Sequence, residues 1–119
     1  MLIKNKVNPP PRIAILLAAY NGMNWIEEQT DSINSQAKVD INLFISVDLS
    51  TDGTYEWCQS LAKNNAHIEV LPYGDRFGGA AKNFFRLIRN VDFSAYDYVA
   101  LADQDDIWLR NKIELQIDY

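Results

Sequence analysis

The chain has 119 residues, 48% of them hydrophobic and 23% charged, so it is long enough for one domain with a packed core and too short for two. Its formal net charge of −5 argues against a nucleic-acid-binding protein, which normally presents a basic face. It has a single cysteine, no recognisable signal peptide and no apolar run near the ~20 residues that span a bilayer. We therefore expect a cytoplasmic location, with peripheral membrane attachment of the full-length protein as a further option.

Residues 1–11 are polar and end in "NPPP", which predicts a disordered or extended lead-in to a folded part at 12–119. In the folded part, short apolar runs alternate with segments of helical periodicity. The predicted strands lie at 12–19, 41–47, 67–71 and 96–102, and a helix follows each of them. This alternation is typical of the α/β class, with a mostly parallel sheet and helices on both faces.

The helices carry more specific predictions. Asn24 is a candidate N-cap for the first helix, with Glu27 at the capping-box position three residues later. The second helix is predicted to begin near Thr54 and to bury Cys58. The third helix would pack through apolar residues at i, i+3, i+4 and i+7, namely Ala81, Phe84, Phe85 and Ile88. The three tryptophans, Trp25, Trp57 and Trp108, are expected to pack in the core. For Trp108 the alternative is contact with a sugar or acceptor.

Polar side chains follow the predicted strands, at the point where each strand ends. The first strand is followed by Ala19-Tyr20-Asn21, the second by Asp48, the third by 73–76, and the fourth by a cluster of three aspartates, Asp103, Asp105 and Asp106. In open α/β sheets, ligands bind outside the carboxyl ends of the strands. We therefore expect these groups to converge on one edge of the sheet.

The three aspartates allow three interpretations. They could form a solvated loop that caps the last helix, a site for Mg²⁺ or Mn²⁺, or a carboxylate pair for acid–base chemistry. A zinc site is excluded because one cysteine and one histidine do not supply a ligand set, and His67 is expected to be structural. No glycine-rich phosphate-binding motif is present, so a bound nucleotide would need its phosphates neutralised mainly by a metal, with help from Arg76 or Lys82.

Five segments carry a resemblance to a known family. In order and spacing, "AILLAAYNG", "WIEEQTDSI", "ISVDLSTDGT", "GGAAKNF" and "LADQDDIWLRNKIE" resemble the inverting family 2 glycosyltransferases of the GT-A fold. The last segment is similar to forms found in rhamnosyltransferase-like members. The resemblance implies transfer of a sugar from a UDP- or dTDP-sugar donor to a saccharide or lipid-linked acceptor, in the synthesis of cell-surface polysaccharide or lipopolysaccharide.

The resemblance also implies residue roles. The turn of Ala19, Tyr20 and Asn21 would lie against the base and ribose, and Asp48 would contact the base. Lys82 stands where the family usually has an arginine near the nucleotide. Asp103 and Asp105 match the D-x-D acids, which contact the ribose and hold the diphosphate through a divalent cation, Mn²⁺ or Mg²⁺, and Asp106 extends this set.

The chain also departs from the family pattern, because the family's catalytic base and acceptor-binding half lie downstream of the D-x-D segment. The resemblance therefore implies an incomplete domain that carries the donor-binding half, with the base beyond Tyr119 and little activity in isolation. An apolar surface left uncovered in this way predicts self-association. The alternatives are a non-catalytic nucleotide-binding or interaction module of the same fold and, less favoured, a metal-dependent phosphohydrolase.

Overall fold

The computed structural model describes residues 9–103 and 106–117. The strands are β1 (Arg12–Ala19), β2 (Asp40–Val47), β3 (Ile68–Val70) and β4 (Tyr98–Ala102). The helices are α1 (Ile26–Asn34), α2 (Thr54–Lys63), α3 (Ala80–Asn90) and α4 (Lys112–Ile117). The predicted alternation of strands and helices is confirmed, and most of the predicted lead-in lies outside the described residues.

The sheet is parallel throughout, with the strand order β3-β2-β1-β4. The central strand β1 is buried from Ile13 to Ala19 because it has a neighbour on each side and helices above and below. Its last residue, Ala19, pairs with Val47, and Leu17 pairs with Ala102. The carboxyl ends of β1, β2 and β4 therefore meet at one edge of the sheet.

Helices cover both faces of the sheet, as predicted. Alternate residues of β1, beginning with Ile13, pack in one cluster with Ile26 of α1, Cys58 of α2 and Ile113 of α4. The opposite face, beginning with Leu16, packs against α3. Since strand order reverses at β1, the chain crosses from one face to the other between β3 and β4, and a crevice opens beside β1 at the carboxyl edge.

The predicted packing face of α3 is confirmed at Phe84 and wrong at the other three positions. The buried residues of this helix are Asn83, Phe84, Arg86 and Leu87. Phe85 and Ile88 are 66% and 48% exposed, and Ala81 is also exposed. The helix is rotated because two polar residues find hydrogen-bond partners on β2 and therefore belong to the buried side, which apolar periodicity alone does not reveal.

The predicted N-cap of α1 is also wrong. The helix begins at Ile26, its N-cap is Trp25, and no side chain caps it. The backbone N–H groups of Trp25 and Ile26 both donate to Gly22 O, at 2.9 and 2.8 Å. A backbone carbonyl therefore accepts hydrogen bonds at the start of the helix, where the side chain of Asn24 was expected to accept them. As a result Trp25 is 39% exposed and not a core residue.

The other two tryptophans are placed as expected. Trp108 is buried within the cluster on the α1 face, and Trp57 packs against the same cluster while half-buried. His67 is half-buried and its Nε2 lies 3.1 Å from Asn34 Oδ1, which fits the structural role predicted for it. Within the described part of the chain, no helix has both the length and the apolar character needed to cross a membrane.

The edge strand β4 and the helix α3 both expose apolar side chains. Val99 and Leu101 of β4 are 47% and 53% exposed, and by register with Ala14 and Leu16 they face the same side of the sheet as α3. Phe85 and Ile88 of α3 are exposed as well, and we refer to these four residues together as the apolar patch.

Candidate functional site

A cavity of about 460 Å³ opens at the carboxyl ends of β1 and β2, on the α3 side of the sheet. Its walls come from the end of β1, the first residue after β2, and the loop and first turn that lead into α3. The lining residues are Ala18, Ala19, Tyr20, Asp48, Arg76, Gly78, Gly79, Ala80 and Asn83. This volume lies within the usual range for small-molecule sites.

Asp48 is the buried anion of this cavity, with 5% of its surface exposed. Its Oδ1 accepts hydrogen bonds from the backbone N–H of Leu49 at 2.9 Å and of Phe77 at 2.6 Å, and its Oδ2 accepts from Gly78 N at 3.1 Å. Burial would raise the pKa of Asp48, but these donated hydrogen bonds outweigh it and hold the pKa below the usual value. The side chain is therefore a carboxylate that ties the end of β2 to the loop at 72–79.

Gly78 adopts the backbone conformation that lets this loop close over Asp48. Its φ of +86° lies in the left-handed region, which residues with a Cβ rarely adopt. The loop is thereby turned so that successive backbone N–H groups point at one carboxylate.

Arg86 of α3 supports the same loop from behind. Its guanidinium donates to Pro72 O at 2.5 Å and to Ser46 Oγ at 2.8 Å, and it lies over the ring of Phe77, 5.2 Å from the ring centroid. Burial lowers the pKa of Arg86, and the nearby carboxylate of Asp75 partly offsets this effect. The residue is 6% exposed, so it acts as a structural cation and not as a surface charge.

Asn83 closes the floor of the cavity. Its Nδ2 donates to Ser46 O at 2.9 Å and to Ala19 O at 3.4 Å, which joins α3 to the ends of β2 and β1. Its Oδ1 is buried and has no hydrogen-bond partner among residues 9–103 and 106–117. Two carbonyl acceptors on the Nδ2 side fix the orientation of this amide.

The turn after β1 is fastened to the loop after β2. Asn21 donates its N–H to Ser50 Oγ at 3.0 Å and accepts from Thr51 N at its Oδ1 at 2.9 Å, and its φ of 42° places it in the left-handed region that asparagine tolerates. Gly22 N donates to Thr54 Oγ1 at 2.8 Å. These bonds make one rim of two loops that are far apart in sequence.

The structure brings together most of the predicted nucleotide-binding residues. Ala19, Tyr20 and Asp48 line the cavity, and Asn21 shapes its rim. Lys82 is exposed in the first turn of α3 and is not among the lining residues. The lining cation is Arg76, which the sequence analysis named only as an auxiliary to a metal.

Sequence reasoning missed the parts of the site contributed by the loop at 72–79 and by α3. Gly78, Asn83 and Arg86 act through backbone conformation and through hydrogen bonds to residues more than 10 positions away, which no local pattern encodes. The pair Gly78-Gly79 before a helix was a usable signal for a turn with positive φ.

Asp103, the first residue after β4, lies at the same edge of the sheet as Asp48. Asp103 follows Ala102, whose partner on β1 is Leu17, while Asp48 follows Val47, whose partner is Ala19. Because one strand separates β2 from β4, the two backbones lie about two strand spacings, roughly 10 Å, apart. The predicted convergence of these positions on one edge is therefore found.

The described aspartates offer hard oxygen ligands but not a closed metal cage. Asp103 and Asp106 are exposed, and Asp106 N donates to Asp103 O at 3.2 Å. Asp105 lies outside the described residues. Among residues 9–103 and 106–117, no three His, Cys, Asp or Glu side chains come close enough to enclose an ion. This donor set fits a cation such as Mg²⁺ or Mn²⁺, which commonly binds one or two carboxylates and takes its other ligands from water and substrate phosphates.

Comparison with known proteins identifies the family. The model of the family described as Glycosyl transferase family 2 matches residues 14–119. The chain belongs to glycosyl transferase family 2. It is 52% identical over 103 residues to the dTDP-rhamnosyl transferase RfbG of Shigella flexneri, and 29% identical over 113 residues to a putative teichuronic acid biosynthesis glycosyltransferase, TuaG, of Bacillus subtilis.

These alignments cover most of this chain but less than half of each relative. They include 86% and 94% of the chain, and 36% and 43% of the relatives' own lengths. The family 2 segment described here therefore corresponds to a minor part of those proteins.

Solved structures support the fold of this family 2 chain. The S. aureus protein TarS superposes with a TM-score of 0.74 at 19% identity, over 90% of this chain and 19% of TarS. A mannosyltransferase from Pyrobaculum calidifontis, PcManGT, solved with GDP-Man and Mn²⁺, superposes with a TM-score of 0.71 at 23% identity, over 87% of this chain and 30% of that protein. The expected GT-A architecture is confirmed.

Proposed function

We propose that this chain is the donor-binding part of an inverting glycosyltransferase that uses a UDP- or dTDP-sugar and a divalent cation. The observation that carries the proposal is the cavity at the ends of β1 and β2, with a buried carboxylate held in its wall and Asp103 at the same edge of the sheet. The similarity to a dTDP-rhamnosyl transferase supports the choice of donor.

The cavity suits a pyrimidine base. Asp48 Oδ2 accepts one hydrogen bond from the protein and retains room for a second donor, since a carboxylate oxygen has two lone pairs. Uracil and thymine each offer an imide N–H, which an acceptor-only carboxylate recognises. Ala18 and Ala19 supply a small apolar wall, and the ring of Tyr20, 50% exposed, stands at the opening for contact with the base or ribose.

The donor's diphosphate would extend from the cavity along the edge toward Asp103. Asp103, Asp105 and Asp106 would hold the divalent cation, which as a Lewis acid stabilises the charge that develops on the leaving nucleoside diphosphate. Arg76, and Lys82 one turn into α3, would contribute positive charge on the other side of the phosphates. The α3 N-terminus faces the cavity through Gly79 and Ala80 and adds a partial positive charge.

The reaction itself needs more than these residues supply. We propose that the catalytic base and the acceptor site lie in sequence beyond this segment, because the chain corresponds to 36% of the rhamnosyl transferase it resembles. The isolated chain would then bind donor without efficient transfer. The acceptor would be a saccharide or lipid-linked intermediate of cell-surface polysaccharide or lipopolysaccharide, assembled at the cytoplasmic side of the membrane.

The apolar patch leads to a further part of the proposal. Its four side chains are each about half exposed or more, and two of them, Val99 and Leu101, lie on β4, an edge strand of the sheet. Such surfaces associate in water. We expect the isolated chain to self-associate through this patch.

Calorimetric titration of the chain with UDP and with dTDP tests the proposal, in the presence and absence of Mn²⁺. We expect saturable binding that Mn²⁺ strengthens, and weaker binding of ADP, whose base lacks the imide N–H. Arg76→Gln should weaken binding, whereas Arg89→Gln, which removes an exposed charge of α3 that does not line the cavity, should not.

No binding of UDP or dTDP at millimolar concentration with Mn²⁺ would contradict the donor assignment. Binding that ignores Mn²⁺ would contradict the metal assignment alone. Efficient sugar transfer by the isolated chain would show that the catalytic base lies within it.

A further inference from the structure

The described residues at 103 and 106–113, which we call the acidic segment, have little regular structure before α4. Its described residues before α4, 103 and 106–111, belong to no helix or strand, and α4 begins only at Lys112. Irregular backbone near a core needs partners for its N–H and C=O groups, since leaving them unpaired is costly. Several of the partners in this case come from α1 and the turn that follows it.

Three polar side chains of α1 and the turn after it form what we call the polar rail: Gln29, Ser32 and Gln36. Their spacing of three and four residues places them on one side of a helical path. Gln29 is fully buried and Gln36 is 7% exposed, although glutamine normally lies at the surface. Hydrogen bonds to the acidic segment account for the buried amide of Gln36 and for Gln29 Nε2, while Gln29 Oε1 is buried with no hydrogen-bond partner among residues 9–103 and 106–117.

The first half of the polar rail holds the start of the acidic segment. Gln29 donates its Nε2 hydrogen to the backbone oxygen of Asp103. Ser32 Oγ accepts a hydrogen bond from Trp108 N at 3.0 Å and donates to Gln29 O at 2.7 Å. The acidic segment is thus fixed on both sides of the described Asp106.

The second half of the polar rail holds the end of the segment. Gln36 donates from Nε2 to Leu109 O at 2.7 Å and accepts at Oε1 from Ile113 N at 3.0 Å. Next to it, Ala37 N donates to Arg110 O at 2.8 Å. A single glutamine therefore pairs with one carbonyl and one N–H, four residues apart, at the entry to α4.

Apart from the bond from Ser32 Oγ to Gln29 O, all of these bonds go to the backbone of the acidic segment, and none goes to a described carboxylate. The side chains of Asp103 and Asp106 remain exposed, while the indole of Trp108 between them and α4 is anchored in the core. The main chain is thus held while the acids face solvent. This is the arrangement expected where carboxylates are to be presented in a fixed geometry.

We propose that the polar rail positions the acidic segment, so that Asp103 and Asp106 meet a divalent cation and the donor's diphosphate without rearrangement of the backbone. Gln29, Ser32 and Gln36 are positioning residues that touch neither the cation nor the nucleotide. The inference rests on the proposed function. It adds to that function a set of residues on the far side of the segment, which control the metal-dependent part of donor binding.

A purely structural role would give a different result. If the polar rail only stabilised the fold, its loss would weaken nucleotide binding equally with and without metal. If it positions the acids, its loss should reduce the gain in affinity that Mn²⁺ provides and leave metal-free binding in the cavity nearly unchanged. The ratio of the two dissociation constants for UDP, without and with Mn²⁺, distinguishes these cases.

The experiment compares Ser32→Ala with Ser35→Ala in the 119-residue chain. Both remove one hydroxyl from the same end of α1, but Ser35 Oγ donates only within its own helix, to Asp31 O at 2.7 Å. Gln29→Met, which keeps the volume and removes the donor, is the second variant. We expect the Mn²⁺-dependent gain to fall about tenfold in Ser32→Ala and Gln29→Met, and to be unchanged in Ser35→Ala.

A second measurement works without any ligand. Amide hydrogen exchange at Trp108 N should accelerate in Ser32→Ala relative to Ser35→Ala, and the exchange of β1 amides should stay the same. This measurement identifies the polar rail as the restraint on the segment, whatever the nucleotide assay shows.

The outcomes separate the two proposals. If the unaltered chain gains affinity from Mn²⁺ and both variants keep that gain within twofold, the polar-rail inference is wrong and the proposed function stands. If the variants lose metal-free and metal-dependent binding alike, the polar rail is structural and the inference is also wrong. If the unaltered chain gains no affinity from Mn²⁺, the metal assignment fails. Independently of the nucleotide assay, an unchanged rate of amide exchange at Trp108 N in Ser32→Ala would overturn the polar-rail inference.

Discussion

Replacing Asp48 by asparagine removes the charge of one buried carboxylate and hardly changes the volume of the side chain. The aspartate accepts three backbone hydrogen bonds, two at Oδ1 and one at Oδ2. Asparagine keeps the oxygen that faces Leu49 and Phe77 but turns an NH₂ group toward Gly78 N–H. The hydrogen bond from Gly78 N–H is lost, because two donors now face each other. The bonds from the N–H groups of Leu49 and Phe77 remain, but their acceptor is no longer charged.

The expected cost follows from these bonds. Hydrogen bonds to a charged group contribute about 1.5–3 kcal/mol each, and a buried unpaired donor costs about 1–3 kcal/mol. Since two of the three acceptor contacts survive in weaker form, we expect Asp48→Asn to lower the free energy of unfolding by about 2–4 kcal/mol. For a chain of this size this corresponds to a fall in Tm of about 8–16 °C.

The lowered pKa of Asp48 determines how its contribution to stability changes with pH. Because the pKa of Asp48 in the folded protein lies below the usual 3.8, its contribution to stability is present above that value and is lost as the pH falls through the lower, folded value. The stability difference between the unaltered chain and Asp48→Asn should therefore be constant near neutral pH and shrink in acid.

The assay is thermal and urea unfolding near pH 7 and in acid, with Asp31→Asn, an exposed aspartate of α1, as the matched control. The control should change stability by less than about 0.5 kcal/mol. A Tm for Asp48→Asn within about 2 °C of the unaltered chain near pH 7 would refute the view that this carboxylate fastens the loop at 72–79.

Three other predictions concern the rest of the chain. Arg86→Met should lower the free energy of unfolding by about 2–4 kcal/mol in urea, because Pro72 O and Ser46 Oγ lose their donor, and an effect below about 1 kcal/mol would contradict this. Burial raises the pKa of Cys58 to about 12, so the folded chain should not react with a thiol reagent near pH 8 until urea is added, and rapid reaction without urea would be inconsistent with the core described here. Double substitution of Phe85 and Val99 by lysine should shift the isolated chain toward monomer in sedimentation velocity, and an unaltered chain that is already monomeric at high concentration would disprove the self-association proposal.

The strands and the α/β class could be predicted from the sequence because their cause is local. A strand covered on both faces must be apolar throughout, and residues 12–19 show this directly. The convergence of Asp48 and Asp103 on one edge followed from the parallel sheet alone. These predictions required no knowledge of which residues touch.

The failures share a different cause. The packing face of α3 was missed because Asn83 and Arg86 are buried through hydrogen bonds to Ser46, a partner on another element. The cap of α1 was missed because Gly22 O takes the place of a side chain. Long-range polar contacts of this kind leave no periodic trace, so the loop at 72–79 and the polar rail emerge only from the three-dimensional structure.

The side chains of the central strand β1 become smaller toward the carboxyl edge of the sheet. Its apolar run begins with isoleucine and leucine side chains and ends with two alanines, Ala18 and Ala19, both of which line the cavity. The cavity therefore exists because β1 carries only small side chains at these two positions, where larger ones would fill it. Selection for thermal stability alone would favour larger side chains at these two positions, and the more stable proteins that resulted would lack this cavity.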